Sequence, residues 1–240
     1  AERPETLGDA EAVQDRVIAE LSLMASAWKL GASNRASRES LGLPRPFSGL
    51  LPADRVFASG AVVDVSQWRH RGVECELAVS LLRDIEPDYG RKMVRADVLA
   101  LLGPVHPALE IPDTRFKTLA TTEGPMALVA DNGASGRAVI GAASACGLDA
   151  VDSSLEARLS FNGSSVESGD MKALIADPVD LVTDHVNRMC ARGYCLRKGE
   201  FILLGSLTPY FGITADGRIR ADFGDIGMVE IEYVGTNKAV

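Results

Sequence analysis

The 240-residue chain is poor in several residue types that would point to common functions. Four cysteines, Cys75, Cys146, Cys190 and Cys195, contain no C-x-x-C pair and are sparse for this length. Neither a zinc ribbon nor a disulfide framework is favoured, and reduced thiols are expected. Basic residues number 25 against 33 acidic, a net charge of -8. A phosphate backbone needs clustered cations, so a nucleic-acid partner is excluded. No apolar run reaches the roughly 18 residues of a membrane span, and "AERPETLGDAEAVQD" is acidic and polar rather than basic and then apolar. A soluble, cytoplasmic protein without a membrane partner is expected. The glycines of "DNGASGRAVIG" match neither a P-loop nor the dinucleotide G-x-G-x-x-G. The three histidines, His70, His106 and His185, form no Ser-His-Asp or His-Glu pattern close in sequence.

With 46% hydrophobic residues the chain can bury a sizeable core. Val13, Val17, Leu21, Met24 and Trp28 recur at helical spacing, which predicts a helix ending near Gly31 with Lys29 at its end. Residues 29–56 are rich in Gly, Ser and Pro and read as an irregular functional loop. "RADVLALLGPVHPALEIPD" predicts a short helix, a proline-bounded turn and a buried segment ending at Glu110. "LVADNGASGRAVIG" and "ARLSFNGSSVESG" read as strands and turns, with Asn162-Gly163 a hairpin turn. Asp177-Pro178 opens a second helix whose apolar stripe is Val179, Val182, Val186 and Met189, with Gly193 as its stop. After it comes strand upon strand, with a turn at Asp216-Gly217. Few helices and many non-alternating strands predict an α+β fold.

The stretch "VECELAV", residues 73–79, carries the chemistry. On a strand Val73, Cys75, Leu77 and Val79 share one face, and Glu74 and Glu76 the other. Paired acids of this kind ordinarily sit on the wet face of an edge strand. A third carboxylate, Glu110, closes the apolar "HPALE". Three hard oxygens on converging strands suit Mg²⁺ or Mn²⁺ and leave positions open for water or a chelating substrate. Taken singly, Lys29 reads as a solvated helix-end cation and Asp54 as a turn cap.

In order along residues 10–234, six segments resemble the hydratase/decarboxylase branch of the fumarylacetoacetate hydrolase superfamily. They are "KLGAS" (29–33), "FSGLLPAD" (47–54), "VECELA", "PALEIPDTR", "ADNGASG" and the closing "ILLGSLT" with "ADFGDIGMVEIEY". The resemblance implies a mixed β-sheet roll or barrel with a few peripheral helices. It implies a single catalytic domain over residues 1–240, with residues 1–30 a helical segment packed on it. It makes Glu74, Glu76 and Glu110 the ligands of Mg²⁺ or Mn²⁺, Lys29 the active-site lysine and Asp54 a catalytic residue of the pocket loop. Leu51, Ser135, Ser206 and Thr208 become substrate-binding residues. Ser135 falls one place late relative to Asp-Asn-Ala-Ser, and Thr208-Pro209-Tyr210 stands where relatives acting on dicarboxylates carry an arginine.

The implied substrate is a small 2-oxo or 2-hydroxy acid, the implied assembly a homo-oligomer. The activity implied is water addition to a 2-hydroxy-2,4-dienoate, with decarboxylation of a 2-oxo dicarboxylate as the alternative. Hydrolysis of an acylpyruvate and a non-catalytic role rank below both.

Overall fold

The computed structural model describes residues 3–87, 91–118 and 123–236. The strands in chain order are β1 (Ala27–Gly31), β2 (Phe47–Leu51), β3 (Val56–Ala58), β4 (Ala61–Asp64), β5 (Gly72–Leu81), β6 (Leu102–Ile111) and β7 (Arg137–Ile140). They continue with β8 (Glu156–Phe161), β9 (Ser164–Asp170), β10 (Phe201–Leu203), β11 (Phe211–Gly212), β12 (Gly217–Asp222) and β13 (Met228–Val234). The helices are α1 (Leu7–Glu20), α2 (Arg35–Leu41), α3 (Arg95–Leu99), α4 (Pro125–Ala130) and α5 (Pro178–Ala191). No described helix is long and apolar enough to cross a membrane.

One mixed sheet runs β2-β1-β10-β5-β6-β7-β3, with β11 also paired to β5; a second runs β4-β13-β12-β8-β9. The large sheet has two unlike faces. Val73, Cys75, Leu77 and Val79 of β5, with Val105, Leu109 and Ile111 of β6, pack in one core with Ile219, Val229 and Ile231 of the second sheet and Val179, Val182, Val186 and Met189 of α5. On the other face, Ala27, Leu51, Ala78, Ala108, Ala138, Ile140 and Leu203 form a separate floor. Glu74, Glu76 and Glu110 point to this same face. The expected α+β class with a curled mixed sheet is present.

Several expected elements are confirmed. Asp177 caps α5 by accepting from the Val179 N–H, a contact worth about 1 kcal/mol, and all four residues of the expected stripe are fully buried. Asn162 and Gly163, both at positive φ, turn β8 into β9.

Other expectations need correction. The first helix stops at Glu20, and Trp28 and Lys29 lie on a strand. The expected stripe joined residues of two elements. Val13, Leu21 and Met24 are 44%, 62% and 74% exposed, whereas Leu7, Ala10, Glu11, Gln14 and Ile18 face inward. Polar Glu11 and Gln14 on the buried side are what hydropathy misses. The expected loop 29–56 is mostly regular: β1, α2 and β2 occupy it, with Asn34 capping α2 and Gly42 at φ +62 ending it. Pro104 and Pro107 interrupt nothing, because both lie inside β6. Leu77, opposite Pro107, gives its carbonyl to Leu204 on the other side of β5, so it asks no donor of the proline. The opening "LVA" of "LVADNGASGRAVIG", residues 128–130, is the end of α4 rather than a strand.

Candidate metal centre and substrate cavity

β5 is paired on both sides, so Glu74 and Glu76 are not acids on a wet edge. The antiparallel register sets Glu74 opposite Glu110 and Glu76 opposite Ala108. Alternation then turns all three carboxylates to the same side of the sheet, and one oxygen from each lies within 4.8 Å of the others. Glu76 and Glu110 are only 1% and 2% exposed. β1 adds the cation: Lys29 pairs with Gly49 and Leu203 of its neighbours, and its Nζ is 3.5 Å from Glu110 Oε1. The Phe47 ring lies 5.5 Å from the same ammonium.

Charge is out of balance here. Two buried carboxylates, Glu76 and Glu110, and the partly buried Glu74 face one ammonium. Burial, reinforced by the Glu110 charge, pushes Glu74 up to about 8. Glu76 is raised well above the usual carboxylate range by burial and by both neighbouring acids. Burial also raises Glu110, against the opposing pull of Lys29. Like charges this close cannot all ionise without a countercharge. Glu110 Oε1 has no hydrogen-bond partner, its approach to Lys29 being an ion-pair distance only. An all-carboxylate donor set, a buried oxygen lacking a partner and a deficit of positive charge together fit a hard divalent cation.

The surroundings hold the acids in place. Glu76 Oε2 accepts from the Gly205 N–H at 2.8 Å. Gly205 sits at φ +109 with Ser33 against it, so a side chain there would be strained and would strike the serine. Ser206 interacts with Glu74 and donates to the Thr208 carbonyl. The Thr208 hydroxyl accepts from the Cys75 N–H at 3.0 Å and so braces β5 beside Glu74 and Glu76.

These groups open into a cavity of about 370 Å³. Its other walls include Leu41 and Ser37 of α2, Phe47, Leu128, Gly133 and Tyr210. An adjoining hollow shares Glu74, Ser206 and Tyr210 and extends past Thr208 and Pro209.

Of the residues expected at the site, Lys29, Glu74, Glu76, Glu110 and Ser206 line this cavity, and Thr208 lines its extension. Three others lie elsewhere. Asp54 is exposed in a short 3-10 turn, 3.6 Å from Arg55. Leu51 belongs to the alanine floor, on the same face as Lys29 but below it. Ser135 lines a different hollow with Arg55 and Arg115, and its Oγ lies against Gly49. Sequence reasoning missed Phe47, the Gly205 amide and the α2 wall. For α2 a signal existed, since Asn34 and Gly42 bracket "RASRESL" as cap and stop.

The histidines stay apart from the acids. His70 contacts the Phe116 carbonyl and His106 the Gly141 carbonyl. His185 is buried against Ser48, 2.8 Å away, and burial drives its basicity down.

No family model matches the chain. Over 207 residues it is 28% identical to a 4-oxalocrotonate decarboxylase of Pseudomonas putida, covering 86% of this chain and 76% of that one. Over 205 residues it is 25% identical to a 2-keto-4-pentenoate hydratase of Burkholderia vietnamiensis, covering 85% and 76%. The solved 4-oxalocrotonate decarboxylase from Pseudomonas putida G7, complexed with magnesium and adipate, superposes with a TM-score of 0.82 at 27% identity, over 96% of this chain and 88% of that one. With the carboxylate cluster, the lysine and the sheet order in place, the chain is similar in sequence and in fold to the hydratase/decarboxylase branch of the fumarylacetoacetate hydrolase superfamily.

Proposed function

We propose that the protein is a metal-dependent hydro-lyase that adds water to a 2-hydroxy-2,4-dienoate and yields a 4-hydroxy-2-oxo acid. The observation that carries this reading is the cluster of Glu74, Glu76 and Glu110 beside Lys29, on the wall of a cavity of about 370 Å³. Glu74, Glu76 and Glu110 would hold Mg²⁺, which supplies positive charge where the 2-oxo-acid end becomes more negative during reaction.

The chain's own groups do the rest. Lys29 is the proton carrier. Its ammonium is fixed between Glu110 and Phe47, in reach of a chain laid along the cavity. In water addition one proton leaves the 2-hydroxyl, the diene carbons take up two, and hydroxide from water joins C4; Lys29 is the group placed to shuttle protons to carbon. Phe47, Leu41 and Leu128 give this path apolar walls. No histidine lines the cavity among the described residues, which disfavours the histidine-assisted C–C hydrolysis ranked lower above.

Decarboxylation of a 2-oxo dicarboxylate is the second reading, favoured by the likeness to the decarboxylase of Pseudomonas putida. It uses the same stabilised charge beside the 2-oxo group. Mixing the protein with Mg²⁺ and either 2-hydroxypenta-2,4-dienoate or a 2-oxo dicarboxylate, with NMR of the products, separates the two. A 4-hydroxy-2-oxo acid supports hydration; release of carbon dioxide alone would transfer the assignment to the second reading. The protein is also read as a homo-oligomer, and the outward side chains of Val13, Leu21 and Met24 offer an apolar surface for self-contact.

A further inference from the structure

The walls of the cavity are poor in positive charge. Among the described residues that line it and its extension, Lys29 is the single cation, set against Glu74, Glu76 and Glu110. A divalent ion would bring that group of four to neutrality, so a 2-oxo-acid head would be held by binding to the ion itself and no net positive charge would be left over. Nothing else among the described lining residues would neutralise a second carboxylate. The other walls are apolar, from Leu41, Phe47 and Leu128, or bear neutral hydroxyls, from Ser37, Ser40 and Tyr210. Burial and the Glu74 charge push the Tyr210 phenol up to about 12, so it offers an O–H and no charge.

Two arginines of neighbouring segments are committed elsewhere. Arg115 is paired with Asp131, and Arg137 lies 3.2 Å from Asp113 and stacks 3.7 Å over the Trp68 ring. Neither lines the cavity.

We propose that this cavity selects substrates whose far end is uncharged: short 2-hydroxy-2,4-dienoates ending in hydrogen or a small alkyl group, in preference to chains ending in a second carboxylate. The proposal rests on the hydratase reading and sharpens it. A distal carboxylate would shed water against Leu41, Phe47 and Leu128 and find hydroxyl donors but no cation. A neutral tail meets none of these costs and gains contact with the same apolar walls. The specificity-determining position is Tyr210, whose ring stands on the boundary between the two hollows. The related decarboxylase crystallised with adipate, a dicarboxylate, supplies the contrast.

Calorimetric titration of the Mg²⁺-loaded protein with two unreactive probes, 2-oxopentanoate and 2-oxohexanedioate, provides the test. The monocarboxylate is expected to bind about tenfold to a thousandfold more tightly, the range in which a site lacking a partner for a polar group discriminates. Tyr210→Arg should narrow or reverse that ratio, since a guanidinium fork pairs with a carboxylate. Equal or tighter binding of the dicarboxylate by the unmodified protein would overturn the proposal alone. If Mg²⁺ binds and neither probe does, the hydratase reading falls and this proposal with it.

Discussion

Acids are drawn inward in two regions of the molecule, and their neighbours treat them oppositely. On the inward face of α1, Glu11 receives two guanidinium hydrogen bonds from Arg45 at 2.7 and 2.8 Å, with Arg188 and Arg192 within 4.0 Å. Asp15 pairs with Arg192 and accepts from the Tyr194 hydroxyl at 2.6 Å. On β5 and β6 three acids share one lysine. The α1 acids are supplied with countercharge by the chain itself and tie a helix down. Those of the sheet are left short of it, and the shortfall is what a dissociable cation would fill. Burial of an acid is therefore a weak sign of function, while burial without matched countercharge is a strong one.

The largest effect that would sharpen this contrast is on catalysis. Lys29→Met keeps the apolar stem and removes the ammonium, and turnover should fall roughly a hundredfold or more while Mg²⁺ still binds. Arg45→Met, which strips a cation from the α1 network, should leave kcat unchanged. Unaltered kcat in Lys29→Met would remove the lysine from the mechanism.

Next in size is stability. Glu11→Gln leaves Arg45, Arg188 and Arg192 without their shared carboxylate and should cost about 1–3 kcal/mol, read from urea unfolding, with Mg²⁺ affinity intact. A loss of metal affinity in this variant would mean that the two regions are not separate.

The pH dependence follows from the raised acids. Protons must leave before a cation can bind, so Mg²⁺ affinity should rise with pH as Glu74, pushed up to about 8, deprotonates. Glu74 contributes most to the stability of the metal-free protein below its unfolded value near 4.5, and that contribution fades as pH climbs through about 8. Thermal shift on adding Mg²⁺ should thus grow between pH 6 and about 8.5. A shift that shrinks over this interval would contradict the charge shortfall. The smallest effect expected is none: Glu167→Gln, on β9 beyond the cavity, should alter neither metal binding nor turnover.

How much of this was legible in the sequence varies by element. The alternation in "VECELAV" located Glu74 and Glu76 on one face, and Asp177-Pro178 located α5, because both signals depend only on neighbours in the chain. That Glu110 stands opposite Glu74 depends on strand register, and that Lys29 joins them depends on β1 pairing with β10, a partner far along the chain. α1 was misread because its buried side includes Glu11 and Gln14 while Val13 is exposed, and because Leu21, Met24 and Trp28 lie beyond its end. The charge balance of either region was equally hidden, since Arg45, Arg188 and Arg192 reach Glu11 from two distant segments.

The most direct test of the difference between the two regions is a Mg²⁺ titration of Glu76→Gln beside Glu11→Gln. Glutamine conserves volume and deletes one charge in each. The expected result is loss of affinity in Glu76→Gln greater than the tenfold to hundredfold typical of outer-shell changes, with Glu11→Gln binding as the unmodified protein does. Unchanged affinity in Glu76→Gln would contradict the assignment of Glu74, Glu76 and Glu110 as the metal centre.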